Sequence, residues 1–453
     1  MKKLQLELHT FLKKHLHSEN PVLIALSGGP DSLALFHLLV EYQQKHAITL
    51  AIAHVDHRWR AESQQEAAQL ALLAKSYQMP FHLKTLDPNQ LQGNLEEACR
   101  GERLKFFSEL CNQYGYQAVI LAHHANDQAE TVLKRLLEGA ALTSLSGLQR
   151  ITVMDQLTLW RPLLRCAKAD ILEWLEEKGL IAFEDNTNYD PKYLRARFRT
   201  DIIPYLSQAF GKEIQNNLCH LAEETHELQS YFQDKLKQFP VETNADSSKI
   251  LINLQQSGDL HPYELKMILR ELLRRYGIVA SRQQLQAITD LLLNNKSNKQ
   301  IEIGKYCFMI DRRRLFIYHL MEMVPLTMQN LVTGTCGSWN ITVNHTDQPK
   351  PNKIGWKHVW QGHVEISLPA ANYLVGPPDF KKPYPNELTS IAKWWTNEKV
   401  PTFLRSTVPV IWEGDGNRIK HEFLSSRYMR QEHESENAKQ WLHITLTGRT
   451  QRT

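Results

Sequence analysis

Six consecutive residues, Ser27-Gly28-Gly29-Pro30-Asp31-Ser32, stand between an apolar run and a helix-like pattern. Two glycines let a backbone pass close to an anion, and the unpaired N–H groups of a helix start meet it with partial positive charge. Ser27 and Ser32 add hydroxyl donors and Asp31 a carboxylate, so the stretch has the chemistry of a phosphate loop. It lacks the Lys-Ser/Thr ending of a Walker A loop and the third glycine of a dinucleotide fingerprint. Those absences weaken the P-loop NTPase and Rossmann oxidoreductase readings. A plain strand-to-helix turn, with Asp31 or Ser32 as its cap, would use the same residues.

Further groups capable of chemistry follow. Asp127 and Glu130, in "NDQAET", have the spacing of a capping box, yet two carboxylates at a strand end also suit Mg2+ or an ammonium group. His54, His57, His123 and His124 have no accompanying cysteine ligands, and their placement at strand ends favours packing or a nucleotide pocket over a metal cluster. Glu96, Arg100 and Arg103 recur at helical spacing, as a surface ladder or as cations facing a phosphate. Lys192, Arg195, Arg197 and Arg199 make a dense basic stretch. Arg312, Arg313 and Arg314 occupy an expected hairpin turn, and Lys393, Lys399 and Arg405 lie further on, all with the charge to meet RNA phosphate. Trp394 and Trp395 read as core aromatics before base-stacking platforms.

These groups need a scaffold. Short apolar runs "VLIAL", "ITLAIAHV", "FHLKTL", "AVILAHH" and "LTLWRPLL" alternate with helical stripes such as Leu35, Leu38, Leu39 and Tyr42. That alternation predicts an α/β fold with a doubly wound, mostly parallel sheet. From about Tyr205 long helical patterns take over, "SRQQLQAITDLLLNN" opening with a Ser281/Gln284 capping box. A hairpin, "IEIGKYCFMI-DRRR-LFIYHL", closes that part, and short β-like runs follow. The expected division is a catalytic domain over 1–210, an α-helical middle domain ending in the hairpin over 211–325, and a small mixed α/β domain over 332–453.

Composition agrees with a globular protein of about two to four domains. The chain has 453 residues, 42% hydrophobic and 23% charged, and a formal net charge of only +4, so affinity for nucleic acid must come from local patches. The six cysteines, Cys99, Cys111, Cys166, Cys219, Cys307 and Cys336, form no C-x-x-C pair and read as reduced packing thiols. The opening residues do not resemble a signal-peptide core and no apolar run reaches a membrane span, so a cytoplasmic location is expected.

The complete S-G-G-x-D-S string resembles the phosphate loop of the ATP-pyrophosphatase (PP-loop) superfamily. "HVDHRWR", "GNLEEACRGERLKFF", "LAHHANDQAET", "RPLL" and "EDNTNYDPKYLRARFRTDIIP" follow in order, and "AKWWTNEKVPTFLRSTVPVIW" comes near the end. Together they resemble the tRNA(Ile)-lysidine synthetase family. The resemblance implies a ligase using ATP to adenylate the first anticodon cytidine of a tRNA(Ile) with a CAU anticodon. Free L-lysine then displaces AMP, giving lysidine and moving codon reading from AUG to AUA.

It implies that Ser27 to Ser32, His54 and His57 bind ATP, that Asp31, Asp127, Glu130 and Arg100 are catalytic, and that Asp31 and Asp127 hold Mg2+. It further implies lysine binding by Asp127, Glu130 and Arg195, and tRNA contacts from Arg197, Arg199, Arg312, Arg313, Arg314 and Arg405. No membrane is implied, and a homodimer is left open. Asp56, Leu104 and Ala196 depart from the family's pattern of Asn, Tyr and Asn, which puts individual contacts in doubt. Two alternatives remain: a superfamily enzyme of tRNA sulfur transfer, which the cysteine pattern disfavours, and a non-catalytic RNA-binding relative.

Overall fold

A computed structural model describes residues 3–58, 62–87, 95–154, 157–182, 194–244, 248–320, 324–380, 391–425 and 440–448. Lys192, residues 185–188 and the side chain of Glu96 lie outside the described residues. The chain divides into two compact units, Met1–Ser230 and Tyr231–Thr453.

The first unit is built on six strands: β1 (Val22–Ala25), β2 (Leu50–Asp56), β3 (Phe81–Thr85), β4 (Val119–Ile120), β5 (Ile151–Met154) and β6 (Leu157–Trp160). Their order in the sheet is β3-β2-β1-β4-β6-β5. All neighbours pair parallel except β5, an antiparallel edge strand on β6. Helices α1 (Lys3–His15), α2 (Pro30–Gln43), α3 (Ser63–Ser76), α4 (Leu95–Tyr114), α5 (Ala125–Leu137) and α6 (Lys168–Glu177) fill the connections.

Strand parity explains the two layers, because successive side chains point to opposite faces. Val22, Ile24, Leu50, Ile52, Ile120 and Trp160 join one core with Leu35, Leu39 and Trp174. Leu23, Ala51, Ala53, Val119 and Leu159 join a second with Phe106, Phe107 and Leu110. The doubly wound expectation therefore describes this unit. Order reverses between β1 and β4, and an open α/β sheet binds ligands outside the carboxyl ends of its strands at that point.

Beyond the sheet, α7 (Leu194–Arg197), a π-helical stretch Phe198–Ile202, and α8 (Ile203–Phe210) run on to α9 (Ile214–Lys237). Pro204 has no N–H to continue an α ladder, and the Ile203 N–H reaches back five residues to the Phe198 carbonyl. Phe198 and Ile203 then bury against Ala129, Val132 and Leu133 of α5.

The second unit differs from the expected helical middle domain. Helices α10 (Pro262–Arg275) and α11 (Arg282–Leu293) are present, and the Ser281 capping box forms. They accompany a five-stranded antiparallel sheet, β7 (Val241–Thr243), β8 (Lys249–Asn253), β9 (Lys299–Ile303), β10 (Tyr306–Asp311) and β11 (Arg314–His319), ordered β7-β8-β11-β10-β9. Leu251 and Phe316 of this sheet share a hydrophobic core with residues from Leu331 to Leu446. Those later residues form two further four-stranded sheets. Trp394 and Trp395 are buried in that core, their indole N–H groups donating to Ser425 Oγ and Glu422 Oε2 at 2.9 and 2.8 Å.

The basic hairpin turn is also corrected. Arg312 and Arg313 occupy the two turn positions, both left-handed at φ 51° and 58°, and are half-buried. Arg314 belongs to β11, opposite Asp311, and is 2% exposed. Its guanidinium pairs with Asp311, donates to the Lys399 carbonyl at 3.0 Å, and lies 4.7 Å from the Trp356 ring centroid. Burial takes Arg314 off any surface that could meet tRNA. Arg314→Met would leave the buried Asp311 carboxylate with only Arg312 Nε, 3.7 Å from Oδ1, so denaturant unfolding should show a loss of about 3 kcal/mol.

Candidate active site

The loop after β1 and the helix start after β4 face each other across the reversal of strand order. Gly28 takes φ +89°, a conformation that L side chains rarely adopt. The N–H groups of Ser27 and Gly28 thereby converge on one oxygen, Ser32 Oγ, at 3.2 and 3.1 Å. Ser32 Oγ in turn donates to the Gly29 carbonyl at 3.0 Å. Buried Ser32 therefore organises the loop from within, whereas Ser27 is exposed at its mouth. Pro30 opens α2 and Gly29 is its N-cap residue, with no side-chain cap, so neither Asp31 nor Ser32 serves the capping role. His54 braces the loop from behind, Nδ1–H donating to the Leu26 carbonyl at 2.8 Å. Asp56 Oδ1 accepts from the Arg58 N–H at 2.9 Å, a bond that an Asn oxygen would make equally.

Asp31 meets two partners. Lys168 Nζ forms an ion pair with Oδ1, and His124 Nε2 lies 3.6 Å from Oδ2. Burial alone would raise the Asp31 pKa, but His124 and then Lys168 outweigh it and hold the carboxyl below its ordinary value.

Across the gap, Asp127 is the third residue of α5, and Oδ2 accepts from the His124 backbone N–H at 3.0 Å. That oxygen is also 3.5 Å from His124 Nε2. The helix-start bond thus joins His124 to Asp127, and Glu130 takes no part in it. Glu130 instead accepts both arms of Arg199, Nε at 2.9 Å and Nη2 at 3.2 Å. Its side chain is only 5% exposed, and burial keeps the Glu130 pKa raised even against Arg199. Arg199, expected on tRNA phosphate, lies here because buried Phe198 and the π-helical stretch bring it over α5, where Nη2 is also 3.6 Å from Asp127 Oδ1.

A cationic rim completes the region. Arg161, buried just beyond β6, donates to the Gln149 carbonyl and Thr152 Oγ1 at 2.7 and 2.8 Å, and its Nε to His123 Nδ1 at 3.3 Å. Burial first, and then exposed Arg100, depresses Arg161 to about 10. Burial first, with Arg161, Arg103 and exposed Arg195 against Asp127, pushes the His123 pKa down to about 4. Burial and Arg103 hold His57 at about 4 as well. Leu104 is half-buried in the core beneath α4, and Ala196 is buried between Arg195 and Arg197, which are both exposed.

The His123 shift has a measurable sign. Between about pH 6.5 and 4 the folded ring is neutral while the unfolded ring binds a proton, so acidification through that window destabilises the fold. His123→Gln should make unfolding free energy, followed by denaturant melts across that window, shallower by one proton, about 1.4 kcal/mol per pH unit.

For magnesium, Asp31 and Asp127 face one imidazole nitrogen, and the ion commonly takes one or two carboxylates plus phosphate and water. That donor set fits. Among the described residues no group of three or more His, Cys, Asp or Glu side chains is placed to hold a metal ion, so its remaining ligands would come from phosphate and water. Arg405, in the second unit, directs its guanidinium to the Val400 carbonyl and Thr396 Oγ1, and Lys393 and Lys399 are exposed.

Residues 1–206 match the PP-loop domain family. Fold and site together define an ATP-using PP-loop protein. The tRNA(Ile)-lysidine synthase of Protochlamydia amoebophila is 38% identical over 421 residues, covering 92% of this chain and 91% of that one. Its counterpart from Chlamydia pneumoniae is 39% identical over 277 residues, covering 60% and 84%. The chain belongs to the tRNA(Ile)-lysidine synthase family. Among solved structures, the U34-tRNA thiolase NcsA from Methanococcus maripaludis covers 50% of this chain and 78% of its own, at 18% identity and a TM-score of 0.42.

Proposed function

We propose that this chain is the ligase that modifies the first anticodon cytidine of tRNA(Ile) with a CAU anticodon, converting AUG reading to AUA reading. ATP transfers AMP to the C2 carbonyl oxygen with release of pyrophosphate. The lysine ε-amine then attacks C2, the C2–O bond breaks, and AMP departs as lysidine forms. Adenylation is needed because a carbonyl oxygen is a poor leaving group. The observation that carries this reading is the pairing, across one reversal of strand order, of the Ser27–Ser32 loop, held in shape from within by Ser32 Oγ, with the Asp31, Asp127 and Glu130 carboxylates.

Within it, the Ser27–Ser32 loop holds the polyphosphate, Asp31 and Asp127 hold magnesium, and Arg100 neutralises phosphate charge. Magnesium, when bound, supplies further neutralisation of the phosphates. Asp127 and Glu130 hold lysine's ammonium groups, Arg195 its carboxylate, and Arg197 the RNA backbone. Residues 211–325 and 332–453 serve as tRNA-binding parts in addition to the catalytic region 1–210, through Arg312, Arg313 and Arg405.

Sulfur transfer is not favoured. Five of the six cysteines are buried, and burial pushes Cys111 and Cys219 up to about 11 and Cys166 to about 12, far from a reactive thiolate. Labelled lysine should enter unmodified tRNA(Ile) in the presence of ATP and Mg2+, and a cytidine-to-uridine change at the first anticodon position should abolish incorporation. Label from a sulfur donor, with none from lysine, would refute the reading.

A further inference from the structure

We infer that Lys168 is a catalytic residue that contacts the β and γ phosphates of ATP and neutralises the charge of the departing pyrophosphate. This rests on the ATP reading above and adds a residue to it.

Lys168 is the first residue of α6, where the positive end of the helix dipole disfavours a cation. The acidic residue usual in such a turn is present too, as Asp170, whose Oδ2 accepts from the Ala167 N–H at 3.3 Å. The lysine therefore does not serve its own helix. Its backbone N–H is fixed by Asn126 Oδ1 at 3.0 Å, and the Ala125 N–H donates to the Cys166 carbonyl at 2.8 Å, tying the starts of α6 and α5 together. From there Nζ crosses to Asp31, the second residue of α2 at the phosphate loop.

The pair is not sealed in a core: the Lys168 and Asp31 side chains are 28% and 29% exposed. The loop itself contains no lysine, unlike a Walker A loop. A phosphate held at the mouth of the loop, where Ser27 is exposed, would lie next to the loop's own Asp31, the residue that Nζ already reaches. When the cytidine O2 attacks the α phosphorus, the bond to the α,β-bridging oxygen breaks and its electron pair leaves on pyrophosphate. A preplaced ammonium stabilises that charge without reorganisation.

Calorimetric titration of the full chain with inorganic pyrophosphate, ATP or AMP in magnesium buffer, beside the rate of tRNA adenylation, tests the assignment. Lys168→Gln should weaken pyrophosphate and ATP at least tenfold and slow adenylation about 100-fold or more. AMP affinity and the KM for lysine should hold, and Lys168→Arg should recover most of the loss. Pyrophosphate bound equally well by Lys168→Gln, or an equal loss for AMP and pyrophosphate, would overturn it in favour of a purely structural ion pair. Failure of the unaltered protein to bind pyrophosphate would instead remove the ATP reading on which it rests.

Discussion

Glu130→Gln is expected to raise the KM for lysine roughly 100-fold while leaving the KM for ATP within a factor of three. The substitution keeps shape and removes one charge from a carboxylate that holds both arms of Arg199. A charge-assisted hydrogen bond contributes about 1.5–3 kcal/mol, which corresponds to 10- to 100-fold in affinity. A second effect adds to it. Arg199 already lies 3.6 Å from Asp127 Oδ1, and once freed from Glu130 it would compete for the other carboxylate offered to the substrate's ammonium groups. Because Arg199 is 36% exposed, hydration would compensate its lost partner and stability should fall by only about 1 kcal/mol.

Steady-state incorporation of labelled lysine separates the outcomes. A fall in kcat at constant lysine KM would show that Glu130 only anchors Arg199. Arg199→Met acts in the same sense, through protonation. Glu130 is already raised by burial, and loss of the guanidinium raises it further. The acidic limb of the pH profile for kcat/KM should then move to higher pH, since the carboxylate must be charged to hold an ammonium group.

Much of this architecture is readable in the chain because strand parity and helix stripes are local properties. Val22 and Ile24 face one layer and Leu23 the other, and Leu35, Leu38, Leu39 and Tyr42 are all buried. Strand β5 is four residues of an antiparallel edge whose half-exposed pattern carries no strong period. In the sheet of the second unit the expected hairpin forms as β10 and β11, whereas β8 is not legible for a related reason: "KILIN" is short and lies between strongly periodic helices, so its partner β11 is what makes it a strand. Arg314 could have been separated from its neighbours by parity, since it shares a strand face with Phe316 and that face meets Trp356 and Phe403. Lys168 also left a signal, a cation at a helix start where the dipole opposes it. Arg199 left none. Its contact with Glu130 spans 69 residues and depends on the π-helical stretch before Pro204, which no local pattern announces.

Gly28→Ala should lower pyrophosphate and ATP affinity, and the rate of adenylation, at least 100-fold, with a fall in melting temperature of roughly 2–12 °C. At φ +89° an added Cβ is strained whatever space surrounds it, by about 1–3 kcal/mol. For a unit of this size that corresponds to a shift of roughly 2–4 °C per kcal/mol. The chain relieves the strain by rotating the peptide, and the Ser27 and Gly28 N–H groups then no longer converge on the point marked by Ser32 Oγ.

A phosphate site needs its donors fixed before the ligand arrives, and the bonds to Ser32 Oγ that fix this loop depend on the Gly28 turn; loss of a single preorganised donor typically reduces the rate 100- to 1,000-fold. Gly29→Ala supplies the contrast. That residue has an ordinary extended backbone, φ −70° and ψ 164°, and an added Cβ would meet Ser27 Oγ at 3.7 Å, an ordinary contact. If left-handed backbone is what the loop needs, Gly29→Ala should bind pyrophosphate within a factor of three of the unaltered protein. Equal losses at both positions would assign the glycines to close approach of the ligand instead, and full pyrophosphate affinity in Gly28→Ala would exclude the Gly28 turn as what shapes its seat.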